Sequence, residues 1–308
     1  MVAWSYEPTT TWLRLPREMS LREVAGVAVD PDGFLYVLTR NTDNPIIVFT
    51  PDGDFVRTFG AGRFTDRAHG ISVGPDGFLY CADDGAHTIT KWTTAGDHVM
   101  TLGVPGHASA RFSGEPFNRP THAVVDAAGR IFVSDGYGNA RIHRYSATGN
   151  LEISWGAPGI EPGSFMVPHN LCLARDRLYV ADREAHRIQV FDLDGKLVDL
   201  WNGIHRPSAI TLGPDQNIYV GEMTGGSLMD GAAGVGHRIS IFDRRGQLLA
   251  HVGSPVEGEA PGQFIAPHGI AVNQRGDIFV GEVSFTIRGR FLNPPRELKS
   301  FTRLKRLA

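Results

Sequence analysis

The chain has 308 residues, with 30 basic and 33 acidic side chains and a formal charge of −3. That balance leaves no electrostatic footprint for nucleic acid or for an anionic membrane surface. Two cysteines exclude a disulfide framework, and no apolar run reaches the about 18 residues of a membrane span. The first residues, Met1-Val2-Ala3-Trp4-Ser5-Tyr6-Glu7, lack the basic start and apolar core of a signal peptide. A cytoplasmic protein, monomeric and without nucleic-acid or membrane partners, is the expectation.

In chain order, the first apolar run is Thr11-Trp12-Leu13-Arg14-Leu15-Pro16, a strand with no neighbour of its own. Six similar segments follow, at 27–37, 71–81, 123–133, 171–180, 210–220 and 270–280. Each is an apolar strand, a tight turn and a second apolar strand. Asp32-Gly33, Asp76-Gly77 and Gly129 supply the positive φ that such turns need. A third strand and a second turn come next, as in Val48-Phe49-Thr50-Pro51-Asp52-Gly53 and Val190-Phe191-Asp192-Leu193-Asp194-Gly195. A fourth strand closes each unit, as at 55–60 or 151–156.

Repeats of about 40–50 residues with four strands each are propeller blades. The spacing predicts an all-β, six-bladed β-propeller forming one domain over 1–308, with blades starting near residues 25, 69, 121, 169, 208 and 268. The sixth unit ends after its third strand, 299–304, so segment 11–16 is expected to complete it. Closure of that kind removes an open sheet edge.

Aligned on the first turn, the residues that head the inner strands read Ala25, His69, Thr121, His169, Ser208 and His268. Histidine recurs in every second blade. Three imidazoles spaced around one channel mouth suit a zinc ion with an open position. The plainer alternative makes each an ordinary strand-start histidine. His87, His143, His186, His205, His237 and His251 fall elsewhere in the repeat and read as solvated or structural.

The ends of the second strands form another column: Thr39, Asp83, Asp135, Asp182, Glu222 and Glu282. It reads as turn chemistry. The following position contributes Arg40 and Arg183, and Tyr137 follows Gly136. The start of strand one and the end of strand two share a sheet edge, so these residues face the histidines. For Arg40 and Arg183 the plainer alternative is salt bridging between blades. The longer insertions, 104–120, 157–168, 224–236, 254–267 and 284–298, converge on that mouth.

The repeats resemble NHL repeats, and the motif order resembles the peptidyl-α-hydroxyglycine α-amidating lyase (peptidylamidoglycolate lyase) family. The carrying segments are Gly26-Val27-Ala28-Val29-Asp30 with Arg40, His69-Gly70-Ile71, Ser134-Asp135-Gly136-Tyr137, Met166-Val167-Pro168-His169, Ala181-Asp182-Arg183-Glu184 and Ala266-Pro267-His268-Gly269. The resemblance implies zinc on His69, His169 and His268, Tyr137 as the base, and Arg40 and Arg183 flanking a small or short peptide-like substrate. His122 and Met166 are further candidates to line the pocket.

The family's calcium rests on backbone carbonyls at the positions of Val27 and Ile71 and on an Asp after the third zinc ligand. Here that residue is Gly269. Carbonyls alone hold a hard cation weakly, which counts against calcium. The leading expectation is a zinc-dependent lyase that cleaves the C–N bond of an N-acyl-α-hydroxyglycine. A metal-dependent hydrolase (lactonase or amidohydrolase) on the same scaffold and a non-enzymatic NHL interaction module are the alternatives.

Overall fold

Short apolar runs separated by turn residues become strands, and the turn glycines take the conformation that the turns require. Gly33 and Gly77 sit at φ +87° and +77°. The computed structural model describes residues 4–224, 232 and 234–307. Its strands form six four-stranded sheets, the blades of a six-bladed β-propeller. Adjacent strands run antiparallel, as in blade four: Pro168–Ala174, Arg177–Asp182, Arg187–Asp192 and Leu197–Asn202. Among the described residues, helix is limited to one turn at Ser284–Ile287 and two 3-10 turns, Arg183–Ala185 and Gly289–Phe291. No helix among the described residues is long and apolar enough to cross a membrane.

Burial falls from the inner to the outer strand. In blade one Leu35–Thr39 and Ile46–Phe49 are buried throughout, whereas Phe55–Phe59 is half-buried with Val56 exposed. Continuous apolar runs mark strands covered on both faces, and mixed runs mark the half-wet outer edge.

The chain divides into two compact units, residues 1–59 with 211–308, and residues 60–210. In the first, Trp12, Leu35, Phe49, Phe279 and Phe301 pack together. In the second, Phe117, Ala123, Ile131 and Val133 form one cluster, and Phe132, Ile142, Phe165 and Leu178 form another. Cys81 and Cys172 are buried thiols, not joined in a disulfide. Of the long insertions, 224–236 lies largely outside the described residues.

The closing strand of blade six differs in place from the expectation. It is Tyr6–Thr9, paired antiparallel with Phe301–Arg306. Segment 11–16 packs instead. Trp12 lies 5.2 Å from the Phe279 ring and 6.3 Å from Phe301, and the Arg14 N–H donates to the Gly53 carbonyl at 2.8 Å. A Cβ at Gly53 would meet the Trp12 carbonyl oxygen at 2.4 Å, so the turn glycine is what admits this segment. The large apolar area of Trp12 is worth more in the core than at an outer strand, where Tyr6 and Glu7 tolerate solvent.

Candidate metal and catalytic site

Each predicted histidine occupies an irregularity in its inner strand. In blade two Ala68 pairs with Asp83 and Gly70 with Ala82, which leaves His69 as the extra residue. In blade four Pro168 pairs with Asp182 and Asn170 with Ala181, so His169 is extra. In blade six Pro267 pairs with Glu282 and Gly269 with Gly281, so His268 is extra. A bulge of this kind re-aims the side chain away from the regular pleat. Ala25 has the same place in blade one.

The acids opposite these bulges hold the incoming loops. Asp83 accepts the Thr65 N–H at 2.6 Å, Asp135 the Asn118 N–H at 2.9 Å, and Asp182 the Met166 and Val167 N–H groups at 2.9 and 3.0 Å. Glu282 accepts the Ala266 N–H at 3.1 Å. The acidic column is therefore turn chemistry with a specific role: buried carboxylates fix the segments that lead into Thr121 and the histidines. Burial pushes Asp182 and Glu282 above the usual carboxylate range.

The histidines are buried, and each is oriented by a backbone carbonyl. His69 Nδ1 donates to the Thr121 carbonyl at 2.7 Å, His169 Nδ1 to Ser208 at 2.6 Å and His268 Nδ1 to Ala25 at 2.7 Å. A proton on Nδ1 leaves Nε2 with its lone pair, which is the tautomer that ligates metal. Within residues 60–210 the His69 and His169 rings lie 4.7 Å apart, and His268 is oriented in the same way within its own unit. Imidazoles whose Nδ1 is held by an outer hydrogen bond have the chemistry of zinc ligands.

Tyr137 stands against two of them. Its hydroxyl lies 2.9 Å from His69 Nε2 and 3.0 Å from His169 Nε2, and Arg183 Nη1 donates to it at 3.1 Å. The Arg183 side chain is 10% exposed, and its Nε donates to Glu184 at 2.7 Å. Burial works against the Arg183 charge, but Tyr137 and Glu184 raise its pKa above the ordinary value. Glu184 is drawn down to about 2 because Arg206 and Arg183 outweigh its burial.

Sequence reasoning passed over several residues here. Arg119 lies over the Tyr137 ring, 4.7 Å from its centroid, beside Arg183 at 5.3 Å. Arg206 donates to Glu184 at 2.7 Å. The pairs Arg119-Pro120 and Arg206-Pro207, each ahead of a strand head, were the available signal. Glu23, also passed over, is buried and accepts from Arg40 Nη1 at 2.9 Å.

The other predicted residues fall as follows. Arg40 Nη1 also donates to Thr286 Oγ1 at 3.0 Å, so Arg40 ties blade one to the segment after the second strand of blade six. The salt-bridging alternative is therefore present at Arg40. Met166 is exposed, with its N–H held by Asp182. His122 is buried against the Gly70 and Ile71 backbone, and its pKa is lowered to about 4 by burial, with the Ile71 hydrogen bond opposing.

The calcium positions offer no carboxylate and no room for one. A Cβ at Gly269 would meet Gly26 Cα at 2.6 Å and the Val27 nitrogen at 2.9 Å. In the other unit, the Ile71 backbone is engaged by His122. These residues do not fit the family's calcium.

Residues 165–191 match the NHL repeat family model. The chain is 34% identical to human "NHL repeat-containing protein 3" over 206 residues, which covers 61% of this chain and 58% of that protein. It is 36% identical to the Caenorhabditis elegans "Probable peptidyl-alpha-hydroxyglycine alpha-amidating lyase pgal-1" over 199 residues, 55% of each. The chain thus spans little more than half the length of these relatives. Among solved structures, the catalytically inactive virginiamycin B lyase from Staphylococcus aureus with quinupristin superposes with a TM-score of 0.64 at 15% identity. That match covers 98% of this chain and 100% of the other, a likeness of fold. The chain is a six-bladed β-propeller with an NHL repeat at residues 165–191, and it resembles the peptidyl-α-hydroxyglycine α-amidating lyases in sequence.

Proposed function

We propose that this protein is a metal-dependent lyase that converts an N-acyl-α-hydroxyglycine-type carbinolamide into the amide and glyoxylate. The observation that carries this is the Tyr137 hydroxyl, which accepts from the Arg183 guanidinium and stands 2.9 and 3.0 Å from the Nε2 atoms of His69 and His169. His69, His169 and His268 would hold zinc, which supplies Lewis-acid polarisation of a substrate oxygen when bound.

The chain's own residues do the rest. The Arg183 N–H donates to the phenol oxygen and orients it. Tyr137 removes the proton of the carbinol hydroxyl. The C–O bond becomes a carbonyl as the C–N bond breaks, and the nitrogen leaves with the bonding pair. That nitrogen recovers the proton as the amide, so the products sum to the substrate and no water is consumed. The Arg183 charge also suits the substrate carboxylate.

Two measurements test this reading. Purified protein is expected to contain about one zinc per chain, lost when His69, His169 and His268 are replaced by Ala. Glyoxylate release from a small N-acyl-α-hydroxyglycine is expected to fall by about 10³-fold or more in Tyr137→Phe. A near-normal rate in that variant, or a metal-free wild-type protein that still turns over, overturns the proposal. Hydrolysis of a lactone or simple amide without glyoxylate would favour the hydrolase instead.

A further inference from the structure

The loops that enter blades three and five share a device. Arg119 and Arg206 each precede a proline, and each has a left-handed backbone, at φ 62° and 39°. Arg119 donates its N–H to His87 Nδ1 at 3.1 Å, and Arg206 donates to His186 Nδ1 at 3.3 Å. His87 and His186 are themselves left-handed, at φ 61° and 54°. Non-glycine residues persist in this region only where the surroundings over-determine them. The fold therefore specifies where these two arginines stand.

Their side chains are neutralised to different degrees. Arg206 meets Glu184 Oε1 and Oε2 at 2.7 and 3.2 Å. The carboxylate bonded to Arg119 is Asp84, at a longer 3.4 Å, and Arg67 already holds both oxygens of Asp84. The Arg119 side chain is 38% exposed, against 10% for Arg183. Tyr137 thus carries a buried guanidinium and a solvent-facing one. Arg119 shares Asp84 with the more tightly bound Arg67, so it keeps charge to spare at the solvent side of Tyr137. The Arg183 guanidinium suits the substrate's glycine carboxylate. The Arg119 charge has no counterpart in that substrate.

We infer that Arg119 is a specificity-determining residue, and that the substrate carries a second carboxylate on its acyl side, which Arg119 receives at the solvent side of Tyr137. This deepens the lyase proposal and rests on it for the position of the first carboxylate. The partly exposed charge makes the preference sensitive to salt.

Equilibrium binding of inert analogues separates the two ideas. N-Succinylglycine carries two carboxylates. Its succinamoyl counterpart has the same size with an amide in place of the second. Calorimetry on the wild-type protein is expected to show about tenfold tighter binding of the dianion at low salt, with the ratio shrinking as salt rises. Arg119→Gln should bring the ratio within about twofold while the melting temperature holds, and Arg119→Lys should keep part of the preference. Equal affinities in wild type, no measurable binding of the dianion, or a preference that survives Arg119→Gln overturns the inference. A preference that depends on Arg119 without glyoxylate release from either hydroxyglycine would leave this inference standing and remove the lyase. Release from both at equal kcat/KM, unaffected by Arg119→Gln, would do the reverse.

Discussion

Arg40 and Arg183 stand at the same position of the repeat, one residue past the second strand of blades one and four. Both are buried, yet their surroundings differ. Arg40 meets its own carboxylate, Glu23, and the two share Thr286, whose N–H and hydroxyl both reach Glu23. Arg183 shares Glu184 with Arg206 and turns an N–H to Tyr137. A cation matched one to one by a buried acid braces a fold. A cation whose acid is shared keeps field to spare for chemistry. The repeat supplies the position, and the neighbours decide the use.

The sharpest way to break that contrast is to remove each arginine. Arg40→Ala leaves Glu23, only 2% exposed, without its guanidinium and is expected to cost about 3–5 kcal/mol in urea unfolding. Arg183→Ala leaves Glu184 paired with Arg206 and should destabilise far less, while kcat/KM falls by about 100-fold or more. Equal losses of stability would erase the distinction.

The two His-Gly pairs test the packing of the two units one at a time. A Cβ at Gly269 meets the Gly26 backbone, and one at Gly70 meets the Thr121 carbonyl at 2.6 Å. Gly269→Ala and Gly70→Ala should each cost about 1–3 kcal/mol from forced backbone movement. Calcium should leave the melting temperature of the wild-type protein unchanged, and a clear rise on adding it would contradict the poor fit at Gly269.

A separate effect, seen only as pH falls, concerns His122. Its folded pKa is lowered to about 4 from 6.5 by burial. Below pH 6.5 the unfolded chain takes up a proton that the folded chain refuses. Stability from this residue is therefore complete above about pH 6.5 and is lost as pH falls toward 4, with a slope of about 1.4 kcal/mol per unit. Denaturant unfolding across that range should show the slope, and His122→Asn should flatten it.

Much of this was legible in the chain. The Asp-Gly turns set the repeat, the repeat set the blades, and the blades aligned His69, His169 and His268 on alternate units. The closing strand was misplaced because Trp12 and Leu13 look like strand residues. Pattern alone does not separate a strand from an apolar segment that packs across a turn such as Gly53. Arg119 escaped notice because its role depends on a left-handed backbone braced by His87, far away in sequence, which the Arg119-Pro120 pair marks but does not explain.

The sequence by itself determined the fold class and the residue types that gather near the strand heads, because turn chemistry and apolar alternation are local. Tertiary structure decided what those residues can do. Only the bulges turn the three histidines out of the pleat, only the carbonyls of neighbouring blades fix their tautomer, and only the packing of blades two, three and four brings Tyr137 between two imidazoles and two guanidiniums. Distances across blades are non-local, and no spacing along the chain encodes them.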